Sequence, residues 1–230
     1  MRSVFAAGLA LGVGLAAWSA AAQLPAPAAE RPDVMMSRVT TEVIAILRHD
    51  AAAGQPTDAG RLIETKILPL FDFEHMTRIA MARNWRLASA EQQAALVAQF
   101  RTLLARSYSS ALSGYRDEDI EYKPLRFASD ETDVLVRSAL LRRGAENLTI
   151  DYDMEKTAAG WKVYDVKIAG VSLVMTYREP FAAAVRADGI DGLVKLLSDK
   201  NRQNDLRPKG PRPQTWLAPV LMLRLVHGRP

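Results

Sequence analysis

The hydrophobic residues of this chain change their spacing near Gly114, and this change limits the folds open to it. Before this glycine, apolar residues such as Leu96, Phe100 and Leu103 recur three to four positions apart, as on one face of a helix. After it, apolar and polar residues alternate, most regularly between Leu148 and Met154, as in a strand with one buried face. Helices first and strands second are the order of an α+β domain.

Four strand-like segments follow the long helix: IEYKPLRF, DVLVRSALLR, NLTIDYDMEK and GWKVYDVKIAGVSLVMTY. Short connections separate them, which makes the sheet antiparallel. Between Trp161 and Ile168 the alternation slips, so we expect either a β-bulge or a strand covered on both faces. Two short helices are predicted after the sheet, in EPFAAAVRADG and IDGLVKLLSDKN. Because the long helix and the sheet both carry wide apolar faces, they must pack on each other or on a ligand.

Local signals place the starts of three helices. Asp33 and Asp72 each precede a helical pattern and are predicted to cap its N-terminus. Ser89 with Gln92 three residues later forms a capping box at the start of the longest helix.

The two ends of the chain differ from its middle. A basic start, an apolar run and the small residues 20–22 are typical of a secretory signal peptide, so we expect residues 1–22 to be cleaved; an uncleaved membrane anchor is the alternative. Residues 23–32 read as a Pro-Ala linker, residues 33–201 as the folded domain, and residues 202–230 as a disordered basic tail. The chain has no cysteine, so its core must stand without disulfides outside the cytoplasm.

The net charge of +4 does not predict nucleic-acid binding. The last 29 residues hold six basic residues and one acid, whereas residues 3–201 hold 23 basic and 25 acidic residues. The predicted domain therefore offers no net positive field for a phosphate backbone, and we expect no nucleic-acid partner.

The sequence holds no credible catalytic or metal centre. Ser172 lies in GVSLV, but Val174 occupies the second glycine position of a nucleophile elbow and the flanks read as strand. Asp151 and Asp153 share one strand face, and they and Asp165 fit the solvent-facing side of a sheet better than a catalytic pair. The three histidines are not spaced for a shared metal ion. The sequence thus predicts a protein that is not an enzyme and that needs no cofactor or metal.

Several motifs in the same order resemble the MlaC family of toluene-tolerance periplasmic proteins. They include WRLASAEQ, DY, GWKVYDV, GVSLV and YREPF, and the resemblance runs from about Val34 to Asn201. It implies a twisted antiparallel sheet with helices packed on one face and a lipid cavity between helices and sheet. It also implies a periplasmic phospholipid carrier that works between an outer-membrane lipoprotein–porin complex and an inner-membrane ABC transporter complex, and so maintains outer-membrane lipid asymmetry.

A carrier of this kind needs an apolar wall for acyl chains, and the sequence offers residues for one. The predicted wall comprises Leu96, Phe100, Leu103, Tyr108, Ile150, Tyr152, Val163, Val166, Val171, Leu173, Met175 and Phe181. Tyr177 and Arg178 are predicted at its rim, where Arg178 is placed to contact a lipid phosphate; a structural ion pair is the alternative for that arginine. For any one of these residues taken alone, ordinary core is the favoured alternative, and it is the resemblance that favours a wall.

Other functions remain open at this point. One is an extracytoplasmic hydrolase that uses Ser172 or the aspartate pair. Another is a ligand-free envelope adaptor with an apolar groove for a partner helix. Within the carrier hypothesis, the cargo is alternatively another lipid such as a hopanoid.

Overall fold

The computed structural model describes residues 30–55, 58–113, 119–141 and 146–206. These residues form an α+β fold with one five-stranded antiparallel sheet, in which each strand pairs with the next along the chain. The strands are β1 (Asp119–Tyr122), β2 (Asp133–Leu141), β3 (Leu148–Thr157), β4 (Gly160–Ile168) and β5 (Val171–Ser172). The predicted fold class is confirmed. The predicted signal peptide and most of the predicted linker and tail lie outside the described residues.

The helices precede and follow the sheet. They are α1 (Pro32–Ala52), α2 (Ala59–Leu62), α3 (Phe73–Met81), α4 (Ala90–Ser113) and α5 (Arg178–Leu206). A π-helical turn (Ile63–Ile67) and a 3-10 turn (Leu68–Leu70) follow α2, and further 3-10 turns lie at Ala82–Leu87 and Met175–Tyr177. Gly189 interrupts α5 with φ 69° and ψ −173°, which splits it into the two predicted helices. None of the helices in the described part of the chain is long and apolar enough to cross a membrane.

Two of the three predicted caps are confirmed. The Asp72 carboxylate accepts a hydrogen bond from the His75 amide at 2.8 Å. Ser89 and Gln92 bond each other reciprocally, each side chain accepting from the other's amide, at 3.0 and 3.2 Å. The prediction for Asp33 is wrong: α1 begins at Pro32, so Asp33 is the second residue of the helix, and its carboxylate accepts from the Leu125 amide in the segment after β1.

The slip in alternation on β4 is a β-bulge. Asp153 pairs with Asp165, but the next residue of β3, Met154, pairs with Val163, so Tyr164 is the extra residue. The bulge lets Val163 and Val166 both reach the core although they are three positions apart.

The segment after β4 is not the long strand that the sequence predicts. A two-residue turn, Ala169-Gly170, with φ values of 49° and 79°, leads into β5, which ends at Ser172. From Met175 the backbone is already helical. The hydrogen bonds that stop the strand come from Asp165, which the sequence alone does not place nearby.

The main core lies between one face of the sheet and the helices. Its buried residues are Met36, Met76, Ala80, Met81, Leu96, Phe100, Leu103, Leu104, Val134, Val136, Met154, Trp161, Val163, Val166, Leu173, Val174, Tyr177, Phe181, Leu193 and Leu197. A smaller cluster of Val39, Val43, Leu47 and Leu62 joins α1 to α2. Helices therefore pack on one face of the sheet, as expected.

Candidate functional site

The helices do not cover the core face of the sheet evenly. Val136, Met154 and Val163 are fully buried. In contrast, four apolar or aromatic residues on this face are only partly buried, although they pack against the core. We call these four residues, Tyr122, Ile150, Tyr152 and Ile168, the open patch. An apolar surface of this kind inside a fold is suited to contact with an apolar ligand.

Two tyrosines of the open patch carry its polar contacts. The rings of Tyr122 and Tyr152 are stacked with centroids 6.4 Å apart. The Tyr122 hydroxyl lies 2.6 Å from the Thr40 hydroxyl on α1, within hydrogen-bonding distance. Burial raises the pKa of Tyr122, although the hydrogen bond to Thr40 opposes this. At neutral pH the patch is therefore uncharged and tied at one edge to α1.

The predicted wall residues fall into three groups. Those in the buried core are Leu96, Phe100, Leu103, Val163, Val166, Leu173 and Phe181. Ile150 and Tyr152 belong to the open patch, whereas Val171 and Met175 are 42% and 44% exposed and lie outside the core cluster. The side chain of Tyr108 lies outside what the structure describes. The structure thus brings nine of these side chains to one interior and leaves two at the surface.

Three aromatic side chains pack on one another under the start of α5. Phe100 meets Tyr177 and Phe181 edge-on, with ring centroids 4.9 and 5.2 Å apart. Tyr177, which the sequence places at a rim, is only 7% exposed, and burial raises its pKa to about 12. The neighbouring Arg178 is exposed, and its Nε donates to the carbonyl of Ile79 at 3.1 Å.

Asp165 and Ser172 form a buried polar link between β4 and β5. Asp165 was predicted on the solvent-facing side, but it is only 4% exposed, so that prediction is wrong. Its carboxylate accepts from the amides of Val166 and Val174 and from the Ser172 hydroxyl. Ser172 Oγ in turn accepts from the Met175 amide at 3.0 Å. The serine thus caps a helical turn, and its hydroxyl proton is directed to a structural carboxylate that also accepts from two backbone amides.

The outer face of the sheet carries polar contacts that the sequence did not predict. Lys167 donates to Asp153, with Nζ 2.7 Å from one carboxylate oxygen, and this hydrogen bond raises the pKa of Lys167. His75 Nδ1 lies 2.6 Å from Glu155 Oε1, and its ring stacks on Tyr164 at 4.4 Å. The two contacts of His75 tie α3 to the sheet. Within the described ranges, no three acidic or histidine side chains are grouped as metal ligands.

A surface pocket lies between the end of α3 and the start of α5. It has a volume of about 290 Å³ and is lined by Met81, Ala82, Arg83, Asn84, Arg178, Glu179, Ala182 and Arg186. Three arginines therefore line one concavity. Sequence reasoning singled out only Arg178, because the two contributing segments lie about a hundred residues apart.

The chain is similar to two curated proteins. It is 22% identical over 145 residues to the intermembrane phospholipid transport system binding protein MlaC of Haemophilus influenzae, a match that covers 62% of this chain and 68% of that protein. It is 24% identical over 181 residues to the toluene tolerance protein ttg2D of Pseudomonas putida, which covers 77% of this chain and 84% of that protein.

The fold is similar to a solved structure of a phospholipid-binding protein from Ralstonia solanacearum in complex with a phospholipid. The two share 37% sequence identity with a TM-score of 0.68, over 76% of this chain and 99% of that one. A family model described as MlaC protein also matches residues 37–199, which is most of the chain. The chain therefore belongs to the MlaC family.

Proposed function

We propose that this protein is a periplasmic carrier that binds a phospholipid by burying its acyl chains between the helices and the sheet. The observation that carries this proposal is the solved structure that is 37% identical and holds a phospholipid. The family membership and the curated relative that acts in intermembrane phospholipid transport support the same function.

The physical task of such a carrier is to hide hydrocarbon from water. Exposing a sixteen-carbon acyl chain costs about 12 kcal/mol, at ~0.8 kcal/mol for each methylene group, so a lipid leaves a bilayer slowly by itself. A protein that offers an apolar surface removes most of this cost without any covalent step. The carrier therefore needs no catalytic residue.

The acyl chains lie against the open patch, in this proposal. Tyr122, Ile150, Tyr152 and Ile168 present apolar surface on the same side of the sheet as the core, and the helices leave it partly uncovered. The predicted wall residues Leu103 and Val166 belong to the core cluster against which this patch packs. A bound chain would complete the burial of these side chains.

The carrier shuttles between an outer-membrane lipoprotein–porin complex and an inner-membrane ABC transporter complex, and so helps to keep the outer membrane asymmetric. Export through a cleaved signal peptide at residues 1–22 places it in the periplasm. The domain for lipid binding is residues 33–201, and the basic tail at residues 202–230 follows it.

Lipid extraction after purification tests the proposal directly. The full chain is expressed with its own leader in a Gram-negative host, purified without detergent, and examined by native mass spectrometry and by organic extraction. We expect about one phospholipid or more for each protein molecule. Protein that carries no lipid by both methods would contradict the carrier function, and protein that copurifies with a polypeptide instead would favour an adaptor.

A charge on the open patch tests where the acyl chains lie. Ile150→Lys places an ammonium group on the core face, whereas Thr149→Lys places the same group on the adjacent, exposed position of the opposite face. We expect Ile150→Lys to lose most of its bound lipid and Thr149→Lys to keep it. Equal lipid content in the two folded variants would exclude the open patch as the binding surface.

A further inference from the structure

We propose that the surface pocket between α3 and α5 binds a phosphate group through Arg83, Arg178 and Arg186. The three arginines line a concavity of about 290 Å³, which is ample for a phosphate and part of the group that carries it. This assignment goes beyond acyl-chain binding and does not depend on it, because inorganic phosphate alone can test it.

The pocket carries a net positive charge. Three arginines and one carboxylate, Glu179, line it, so its formal charge is +2. Glu179 is itself paired with Arg186, whose Nη2 lies 2.7 Å from a Glu179 carboxylate oxygen. The carboxylate therefore competes with any anion for Arg186, and the other two arginines supply the remaining attraction.

The two arginines other than Arg186 are available to a ligand. Within the described part of the chain, Arg83 makes no hydrogen bond or ion pair, and it is exposed. Arg178 uses its Nε to donate to the Ile79 carbonyl at 3.1 Å, which fixes the guanidinium plane against α3. Its terminal nitrogens can then donate to a ligand with less loss of side-chain entropy.

The floor of the pocket is apolar and conformationally fixed. Met81 borders the pocket but is only 1% exposed, so Ala82 and Ala182 supply more of the apolar surface than Met81 does. Ala82, next to it, has φ 48° and ψ −127°, a backbone conformation that is costly for a residue with a Cβ atom. This conformation turns the chain out of α3 and directs Arg83 and Asn84 toward α5.

A phosphate fits this arrangement better than a carboxylate. Guanidinium groups bind anionic oxygens as planar donors of two parallel hydrogen bonds. The oxygens of a phosphate are arranged tetrahedrally, so they accept from more directions than the two coplanar oxygens of a carboxylate. Arginines that approach from two separate segments can each bind a different oxygen. The apolar floor can take the carbon atoms of a phosphoester. The phosphate could belong to a lipid headgroup or be free, and the experiment separates the two.

Titration with inorganic phosphate tests the site. The full chain is purified, freed of lipid, and titrated with sodium phosphate at constant ionic strength while ¹H–¹⁵N spectra are recorded. We expect saturable shifts in residues 82–84 and 178–186, with a millimolar dissociation constant because the site is open to water. Shifts that match those in sodium chloride, or that spread over all basic residues, would overturn the proposal.

Three variants are expected to change the phosphate affinity in three different ways. Arg83→Gln should weaken phosphate binding about fivefold, the ratio expected for one exposed charge pair. Arg86→Gln, which makes the same charge change on the same 3-10 turn but outside the pocket, should leave it nearly unchanged. Glu179→Gln should strengthen it, because the competing carboxylate is lost. Weaker binding by Glu179→Gln would contradict the assignment.

A comparison of cargo identifies the source of the phosphate. Protein reloaded with phosphatidylglycerol is compared with protein reloaded with diacylglycerol, which has the same tails but no phosphate. A headgroup in the pocket predicts that phosphatidylglycerol blocks the phosphate shifts and that Arg83→Gln loses this lipid faster than diacylglycerol. Phosphate shifts that persist in both loaded forms identify a free phosphate site. Failure to bind either lipid would contradict the carrier function while leaving the phosphate result intact.

Discussion

Replacing Asp165 with alanine removes the polar link that holds β5 and the following turn against β4. The carboxylate is 4% exposed and accepts hydrogen bonds from the Val166 amide at 2.8 Å, the Val174 amide at 3.1 Å and the Ser172 hydroxyl. Alanine leaves these donors without an acceptor. Because an unsatisfied buried polar group costs about 1–3 kcal/mol, we expect the free energy of unfolding to fall by about 3–5 kcal/mol.

Two milder variants separate the parts of this link. Asp165→Asn keeps the shape and one acceptor oxygen, so we expect a loss of about 1–2 kcal/mol. Ser172→Ala removes one donor to Asp165 and the cap of the Met175 amide, which again should cost about 1–2 kcal/mol. Since both residues belong to one network, the double variant should lose less than the two single losses together, by at least about 0.5 kcal/mol.

Urea denaturation followed by tryptophan fluorescence measures these differences. The reasoning is refuted if Asp165→Ala costs less than about 1 kcal/mol, or if Ser172→Ala and Asp165→Ala are simply additive. The same serine variant decides the hydrolase hypothesis. An esterase activity that disappears in Ser172→Ala, with no change in the free energy of unfolding, would make Ser172 a nucleophile rather than a cap.

Three further changes test other parts of the fold, each by urea denaturation. Ala169→Asn should raise the free energy of unfolding by ~0.5–1 kcal/mol, because asparagine tolerates the positive φ of 49° in this hairpin turn better than alanine. Phe100→Ala should lower it by about 3–5 kcal/mol, since a fully buried ring is lost. Asp33→Asn should lower it by about 1 kcal/mol at pH 7. Burial raises the pKa of Asp33, but hydrogen bonds from Arg31 and the Leu125 amide outweigh it and hold that pKa below its usual 3.8. The difference in the free energy of unfolding between Asp33→Asn and the parent protein is therefore fully present above pH 3.8. It disappears as the pH falls through the lower pKa of the folded state.

Features set by neighbouring residues were predictable from the sequence. The capping box of Ser89 and Gln92 and the cap at Asp72 depend on a few consecutive residues, and both are present. The break in alternation between Trp161 and Ile168 was also visible in the sequence, but a strand covered on both faces would produce it too, and only the strand pairing identifies a bulge at Tyr164. The α+β order followed from the change in hydrophobic spacing.

Features set by residues far apart in the chain were not predictable from the sequence. Aspartate is a common N-cap residue, but the Asp33 carboxylate accepts hydrogen bonds from the side chain of Arg31 and from the amide of Leu125, which is 92 residues away. Asp165 lies on a polar position of an alternating strand, yet the turn after Ser172 folds over it and buries it. The alternation of apolar and polar residues shows which face of the sheet a residue lies on. It does not show which segment further along the chain covers that face.

Affinity and orientation have separate sources in the proposed carrier. The partial exposure of four side chains in the open patch costs the empty protein on the order of a few kcal/mol at most, whereas each acyl chain gains about 12 kcal/mol by leaving water. Most of the driving force therefore comes from the lipid and is the same for any headgroup. A fold that relied on this force alone would not distinguish a phospholipid from other double-chained lipids.

Arginines at the surface contribute less to the binding free energy, since exposed charge pairs are worth about 1 kcal/mol or less. Such a contribution is enough to favour one class of headgroup by several-fold while still permitting release.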